Sequence, residues 1–354
     1  MSSQDRQHRH ALVRSSINID ETFAVSAIVR PGQTIASKGY QARAGGKGAN
    51  VAAAIGLALH GHEEEASVQL VGAVGKDASW PVETLAKCNV DVSGVSILED
   101  VPTGRAFIQV GDDGENSIVL LQGANGTRTL DDADRILNTR SWGRPHASVG
   151  PTHLVLQNEI PLETTRAFLK AAETRSITTI FNPSPLPTEA EAREFEWDLV
   201  DVLVVNEGEA GALVSLFGAN DVHAPSMEEK LVRCPKIERI RWIIVTRGDR
   251  GVSAYVRQGD GPQRETIDQA AFKPEQVIDT TGAGDIFLGY LVAGLLMYGG
   301  DANLPATTPD IEQILRFAAY AASMAVGQRG ALESCPNGAE VMQRSGADLG
   351  RLWS

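Results

Sequence analysis

The residue in this chain best placed to do chemistry is Asp285, which closes the run Asp279-Thr280-Thr281-Gly282-Ala283-Gly284-Asp285. The three small residues before it, Gly282, Ala283 and Gly284, turn the chain and leave backbone N–H groups uncovered. An apolar run over residues 286–298 follows and reads as a buried helix. A helix start carries unpaired N–H groups and the positive end of the helix dipole, so this turn is suited to an anion. A carboxylate beside such a pocket can take the proton of a hydroxyl as that hydroxyl attacks a phosphoryl group. The plainer reading is an Asp that caps a helix after a glycine turn.

A second cluster, Gly45-Gly46-Lys47-Gly48-Ala49-Asn50, stands at the head of a small-residue helix. It is not a P-loop, because Gly48 follows Lys47 where Ser or Thr is needed, and no glycine stands five residues before Gly46. Nor is the Asp285 turn a dinucleotide fingerprint, since Phe287 occupies the place of the third glycine. What remains is a backbone that a ligand can approach closely, with one ammonium and one amide to bond hydroxyls. Alone, this stretch is equally a surface turn; its pairing with the Asp285 turn argues for a site.

Two further pairs have useful spacing. Asn18 and Asp20 end the first predicted strand and alternate, so both point to one face, although an Asx turn would use the same residues. Asn206 and Glu209 lie three apart at a helix head. That spacing suits an amide reaching phosphate and a carboxylate organising Mg²⁺ through water, and it is equally a capping-box pattern.

The elements that must position these groups alternate between helix and strand, as in a parallel sheet covered on both faces. Helices are predicted over 46–60, 78–88, 161–175, 207–217, 286–298 and 311–326. Strands are predicted over 68–74, 152–157, 178–181, 200–205, 242–246 and 251–256. Two regions, about 22–45 and 103–122, hold short alternating segments around Gly111-Asp112-Asp113-Gly114 and suggest antiparallel hairpins outside the main sheet. The expected fold class is α/β: a three-layer α/β/α domain over about 11–340, with a central, mostly parallel sheet. Residues 1–10 and 341–354 read as tails, and 141–150 and 299–310 as surface insertions.

These residues, in this order, resemble the signatures of the ribokinase-like carbohydrate kinase family. Ser16-Ile17-Asn18-Ile19-Asp20, Gly123-Ala124-Asn125, Asn182-Pro183-Ser184-Pro185, Val205-Asn206-Glu207-Gly208-Glu209 and Thr246-Arg247-Gly248 extend the resemblance over about residues 12–337. It implies ATP- and Mg²⁺-dependent phosphorylation of the 5-hydroxyl of D-ribose, with Asp285 as base and the N–H groups of Gly282, Ala283 and Gly284 as anion hole. It further implies ribose contacts from Asn18, Asp20, Gly46, Lys47, Gly48, Asn50 and Glu159, the last otherwise readable as an ordinary loop carboxylate. ATP would meet Asn206, Thr246, Gly248, Gly251 and Gly284, and Glu209 would hold Mg²⁺ through water. An activating K⁺ would lie on Asp279 and Ser334 with carbonyls of Thr281, Ala325, Gln328 and Gly330. The family also implies that the two hairpin regions form a β-lid over the sugar and the contact of a homodimer. Arg14 in the first strand, and Arg247 where the family commonly has Leu, depart from its pattern.

Composition agrees with such an enzyme. The formal charge is −13, which disfavours nucleic acid or anionic membrane as a partner. The three cysteines, Cys88, Cys234 and Cys335, show no CxxC spacing and fit unpaired thiols in the cytoplasm, with the nucleus left open. The apolar run over 286–298 is shorter than the ~20 residues a spanning helix needs. Two alternatives stay open: a related kinase acting on another sugar or a nucleoside, and a non-catalytic sugar sensor on the same fold. A substrate panel separates the first, and ribose-dependent ADP release the second.

Overall fold

Apolar runs bounded by glycine and polar residues become the strands of one large sheet, while the two hairpin regions form a smaller one. A computed structural model describes residues 8–127, 132–139, 150–219, 224–259, 261–298, 304–305 and 307–348. In chain order the strands are β1 (Arg9–Arg14), β2 (Asn18–Ala24), β3 (Gly39–Gly45), β4 (Ala66–Gly75), β5 (Asp91–Leu98), β6 (Gly104–Val110) and β7 (Asn116–Leu121). They continue with β8 (His153–Gln157), β9 (Thr178–Asn182), β10 (Val202–Asn206), β11 (Trp242–Thr246), β12 (Val252–Arg257) and β13 (Arg264–Gln269). The helices are α1 (Lys47–Ala58), α2 (Trp80–Lys87), α3 (Ala133–Asn138), α4 (Leu162–Glu173) and α5 (Glu189–Glu194). After them come α6 (Glu207–Phe217), α7 (Met227–Val232), α8 (Ala283–Met297), α9 (Thr308–Ala325) and α10 (Gly338–Ser345).

The main sheet runs β13-β12-β11-β10-β9-β8-β1-β4-β5, parallel throughout except that β12 is antiparallel to both neighbours. Every residue of β4 is buried, as expected where helices cover both faces of a parallel sheet. On one face α1, α8 and α9 pack against Val13, Val155, Val202 and Ile244. On the other, α4 and α6 pack against Leu12, Leu154, Leu203 and Ile243. The expected α/β/α layering is therefore present. Helices α1 and α8 cross closely, because a side chain at Gly289 would stand 2.4 Å from Ala54 Cβ. This crossing brings the two helix starts together.

The lid is the sheet β3-β2-β6-β7. Its pairs β2/β3 and β6/β7 are antiparallel as predicted, while β2 and β6 join in parallel, a pairing that hairpin signals do not report. Asn18 and Asp20 do not end the first strand; they head β2, the first lid strand. Strand β1 stops at Arg14, and Ser15, Ser16 and Ile17 then carry the chain out of the main sheet, with the Ser16 carbonyl accepting the Ala49 N–H at 3.0 Å. The two-residue alternation reads the same in either strand.

Other boundaries also move. β5 and β13, half-exposed edge strands of mixed polarity, have no apolar signature and were not predicted. The segments read as tails overlap β1 and α10, and α9 starts at Thr308, inside the region read as an insertion. Leu304 in that region is buried. Residues 141–149 and 299–303 lie outside the described residues. Arg14 is buried in β1 with its guanidinium 5.8 Å from the Phe168 ring centroid, so the strand keeps its charge. Among the described residues no helix is long and apolar enough to cross a membrane.

Candidate active site

Strand β1 is flanked by β4 on one side and β8 on the other, so the chain leaves it in one direction and returns in the other. At such a switch point the loops after the two strands diverge and open a crevice at their C-terminal ends. The sequence puts Ser15-Ser16-Ile17 after β1 and Asn158-Glu159 after β8 at that place. Ser15 Oγ donates to Gln157 Oε1 at 3.0 Å, and Ser16 Oγ to Glu159 Oε2 at 2.5 Å. The same Glu159 oxygen accepts the N–H of Lys47, the first residue of α1, at 3.0 Å. Glu159 is thus no free loop carboxylate: it sits at a positive helix end and ties two strand loops to α1.

The other sugar-side residues predicted from sequence gather on the lid side of this knot. Asn125 holds Ile17 through both backbone groups, at 2.9 and 3.0 Å, and donates to Asn18 Oδ1 at 2.7 Å. Its turn was noted in the sequence, yet no role was assigned to it there. Asp20 lies over Gly45, where an added Cβ would fall 2.1 Å from Oδ2. Gly46 has φ +89, and a side chain there would stand 2.8 Å from the Asn18 nitrogen. At Gly48 a side chain would meet the Ser16 nitrogen at 2.7 Å. The glycines of this cluster are therefore required by close backbone approach.

Asp285 lies in the first turn of α8 and is 8% exposed. Its Oδ2 accepts from Asn50 Nδ2 at 2.9 Å, and Lys47 Nζ stands 3.9 Å from Oδ1. Asn50 Oδ1 is buried and makes no hydrogen bond among the described residues. A cleft runs onward from Asp285, lined by Lys47, Asn206, Glu209, Thr246 and Gly284. Asn206 and Glu209 do form a capping box, with Glu209 N–H to Asn206 Oδ1 at 2.8 Å and Asn206 N–H to Glu209 Oε2 at 2.9 Å. Capping and cleft lining are the same positions here. Gly248 and Gly251 shape the β11–β12 turn and are not among the cleft-lining residues. Gly251 is fixed by packing, since a Cβ would lie 2.1 Å from the Gln269 carbonyl oxygen. Arg247 reaches Asp268 at 3.2 Å rather than the cleft.

The turn before Asp285 is braced from below. Gly282 has φ +78, and a side chain there would fall 2.4 Å from Ala331 Cβ. The Ala283 N–H already donates to the Thr280 carbonyl at 3.3 Å, whereas a side chain at Gly284 would meet nothing within 4 Å. Asp279 accepts from the Thr281 N–H and the Gly330 N–H, both at 3.0 Å. Ser334 joins through its N–H to the Gly330 carbonyl at 3.2 Å, and Gln328 donates to the Ala325 carbonyl at 3.0 Å. The loop 327–334 therefore returns beside the turn.

Charge follows from this crowding. Burial pushes the Asp20 carboxyl up to about 7, with further help from Glu159, Asp285 and Glu333. Asp285 raises Lys47 above its usual range against the opposing effect of burial, with smaller help from Glu159 and Glu209. Burial raises Asp279, but its Gly330 and Thr281 donors and the Arg43 guanidinium outweigh that and leave it lowered.

Residues 9–337 match the pfkB family carbohydrate kinase signature. The chain belongs to that family. It is 30% identical over 355 residues to the ribokinase of Arabidopsis thaliana, covering 97% of this chain and 82% of that one. The crystal structure of ribokinase from Cryptococcus neoformans var. grubii serotype A in complex with ADP superimposes with a TM-score of 0.75 at 38% identity, over 95% of this chain and 99% of that one. The Arabidopsis thaliana ribokinase complexed with ribose and ATP gives a TM-score of 0.75 at 28% identity, over 96% and 99%. This protein is thus a kinase.

The Asp20 shift makes the kinase's stability pH-dependent. A carboxyl whose folded pKa lies above its unfolded value holds more protons folded than unfolded between the two. Its stabilising contribution is therefore full below about 3.8 and lost as pH rises through about 7. Replacing Asp20→Asn removes the ionisation, so the variant's gain in melting temperature over the parent is expected to be larger at pH 8 than at pH 5. Equal differences at both pH values in thermal scans would contradict the shift.

Proposed function

We propose that this kinase transfers the terminal phosphoryl group of ATP to the 5-hydroxyl of D-ribose. One observation carries the reading: Asp285 stands where two sets of groups meet. On one side are hydroxyl-binding groups on Asn18, Asp20, Asn50 and Glu159; on the other is the cleft with Asn206, Glu209 and Thr246. The unpartnered Asn50 Oδ1 is a buried acceptor that a sugar hydroxyl would satisfy. The ribose and ATP held by the Arabidopsis ribokinase, and the ADP held by the Cryptococcus one, support the same assignment.

Asp285 accepts the proton of the 5-hydroxyl as its oxygen forms the new bond to phosphorus and ADP leaves. Asn50 fixes the orientation of the carboxylate, and Lys47 places a positive charge between sugar and phosphates. The N–H groups at the start of α8, that of Gly284 foremost, face the charge that builds on the phosphoryl oxygens. Among the described residues no three His, Cys, Asp or Glu side chains are grouped to hold a metal ion. Mg²⁺ binds through one or two carboxylates, water and the substrate phosphates; Glu209, in the cleft lining, would hold it and the ion would neutralise phosphate charge. Asp279, kept ionised by its donors, and the carbonyls of Thr281, Ala325, Gln328 and Gly330 with Ser334 form an oxygen-rich loop suited to K⁺. Edge strand β7 exposes Ile118, Val119, Leu120 and Leu121, which supports a homodimer joined through the lids.

With D-ribose and MgATP, Asp285→Asn is expected to lower kcat by roughly 10²- to 10⁴-fold, the usual worth of a general base. A variant retaining a tenth of parental kcat would remove Asp285 from that role. In the same coupled assay ribose should outpace deoxyribose, fructose and adenosine, and a faster alternative acceptor would replace ribose in the assignment. Turnover should be severalfold higher in K⁺ than in choline at equal ionic strength; equal rates would reject the cation site. Light scattering should give twice the chain mass, and Val119→Lys the single-chain mass. A monomeric parent would exclude the lid-to-lid dimer.

A further inference from the structure

We propose that Arg43 is a positioning residue of the transfer site, coupling the sugar lid to the loop that braces the anion turn. The inference rests on the kinase reading for its activity measurement and on geometry for the rest. In the β2–β3 pair Arg43 is the register partner of Asp20, and directly opposed residues share a face of the sheet. The guanidinium therefore leaves the lid on the same side as the sugar-binding carboxylate. It then reaches the loop 327–334. An added Cβ at Gly330 would fall 2.3 Å from an Arg43 Nη atom and 2.5 Å from Glu333 Oε2, so both groups rest on the Gly330 backbone. Arg43 Nε stands 3.8 Å from Glu333 Oε1.

From Gly330 the contacts continue without a gap. Its N–H donates to Asp279, whose other oxygen accepts the Thr281 N–H, and the next loop residue, Ala331, lies under Gly282. One chain of contacts thus joins the strand opposite Asp20 to the turn that presents N–H groups to phosphate. Beyond their influence on the Asp20 and Asp279 carboxyls, Arg43 and Glu333 have no other assigned task. With the lid seated on the sugar, Arg43 holds Gly330, and Gly330 holds Asp279 and the turn. A planar guanidinium can lie flat on a glycine backbone while pairing with a carboxylate, which an ammonium cannot do equally well.

The plainer reading is a half-exposed ion pair, and such pairs add little to stability. That reading and this one agree that Arg43→Ala leaves the melting temperature nearly unchanged, and they differ on the loop and on turnover. Hydrogen exchange read by mass spectrometry on the full chain should show peptides over 327–334 exchanging severalfold faster in Arg43→Ala, with β10 and β11 unchanged. With D-ribose and MgATP, kcat should fall roughly tenfold while KM for ATP stays within about twofold, and Arg43→Lys should recover part of the loss. Unchanged exchange over 327–334 overturns the proposal, as does a kcat within twofold of the parent. Exchange is read on the free chain, so a parent that failed to phosphorylate ribose would sink the substrate assignment while the exchange result still decided the coupling.

Discussion

The close crossing of α1 and α8 is the constraint on which the rest of the site depends. Each helix begins at a glycine with positive φ, and each start offers N–H groups and a positive dipole end. Gly289 against Ala54 lets the axes approach so that Asn50, on the first turn of one, meets Asp285, on the first turn of the other. A larger residue at that crossing would force the backbones apart, since packed interiors yield little to added volume. The Asp285 carboxylate, its amide partner and the lysine ammonium would separate together. Packing of small apolar residues far from any ligand therefore sets the geometry of a charged site.

That site gathers four carboxylates, Asp20, Glu159, Asp285 and Glu333, around two cations, Lys47 and Arg43. Such an arrangement would repel itself if every acid were ionised without help. Glu159 accepts from a hydroxyl and a helix N–H, and Asp285 accepts from an amide with an ammonium nearby. Asp20, which lacks comparable donors among its described contacts, keeps its proton to near neutrality.

Much of this was legible in the sequence because glycine and small residues announce backbone approach. The turns at Gly45-Gly46 and Gly282-Ala283-Gly284, the apolar helix behind the second and the alternation of strand and helix all appear where expected. Asn18 and Asp20 alternate as expected but lie on the lid strand rather than the first strand, since a two-residue period is blind to which sheet a strand joins. β5 and β13 escaped because edge strands bury one face or less and carry no continuous apolar run. Asn125, Arg43 and Glu333 gained roles only in three dimensions. Their partners lie about a hundred or more residues away in sequence, and no local spacing encodes that.

The placement of Asn18 and Asp20 on β2, outside the nine-stranded sheet, has a consequence for how such an enzyme can diversify. Asp285 and the cleft beside it belong to the α/β/α core, whereas Asn18 and Asp20, the acceptor-side residues of the proposed function, belong to a separate, four-stranded sheet. On the proposed function, substitution in that flap away from Arg43 would alter which hydroxyl compound is admitted while leaving the donor side in place. On that reading, acceptor choice and transfer chemistry are carried as two modules of one chain, joined through Arg43.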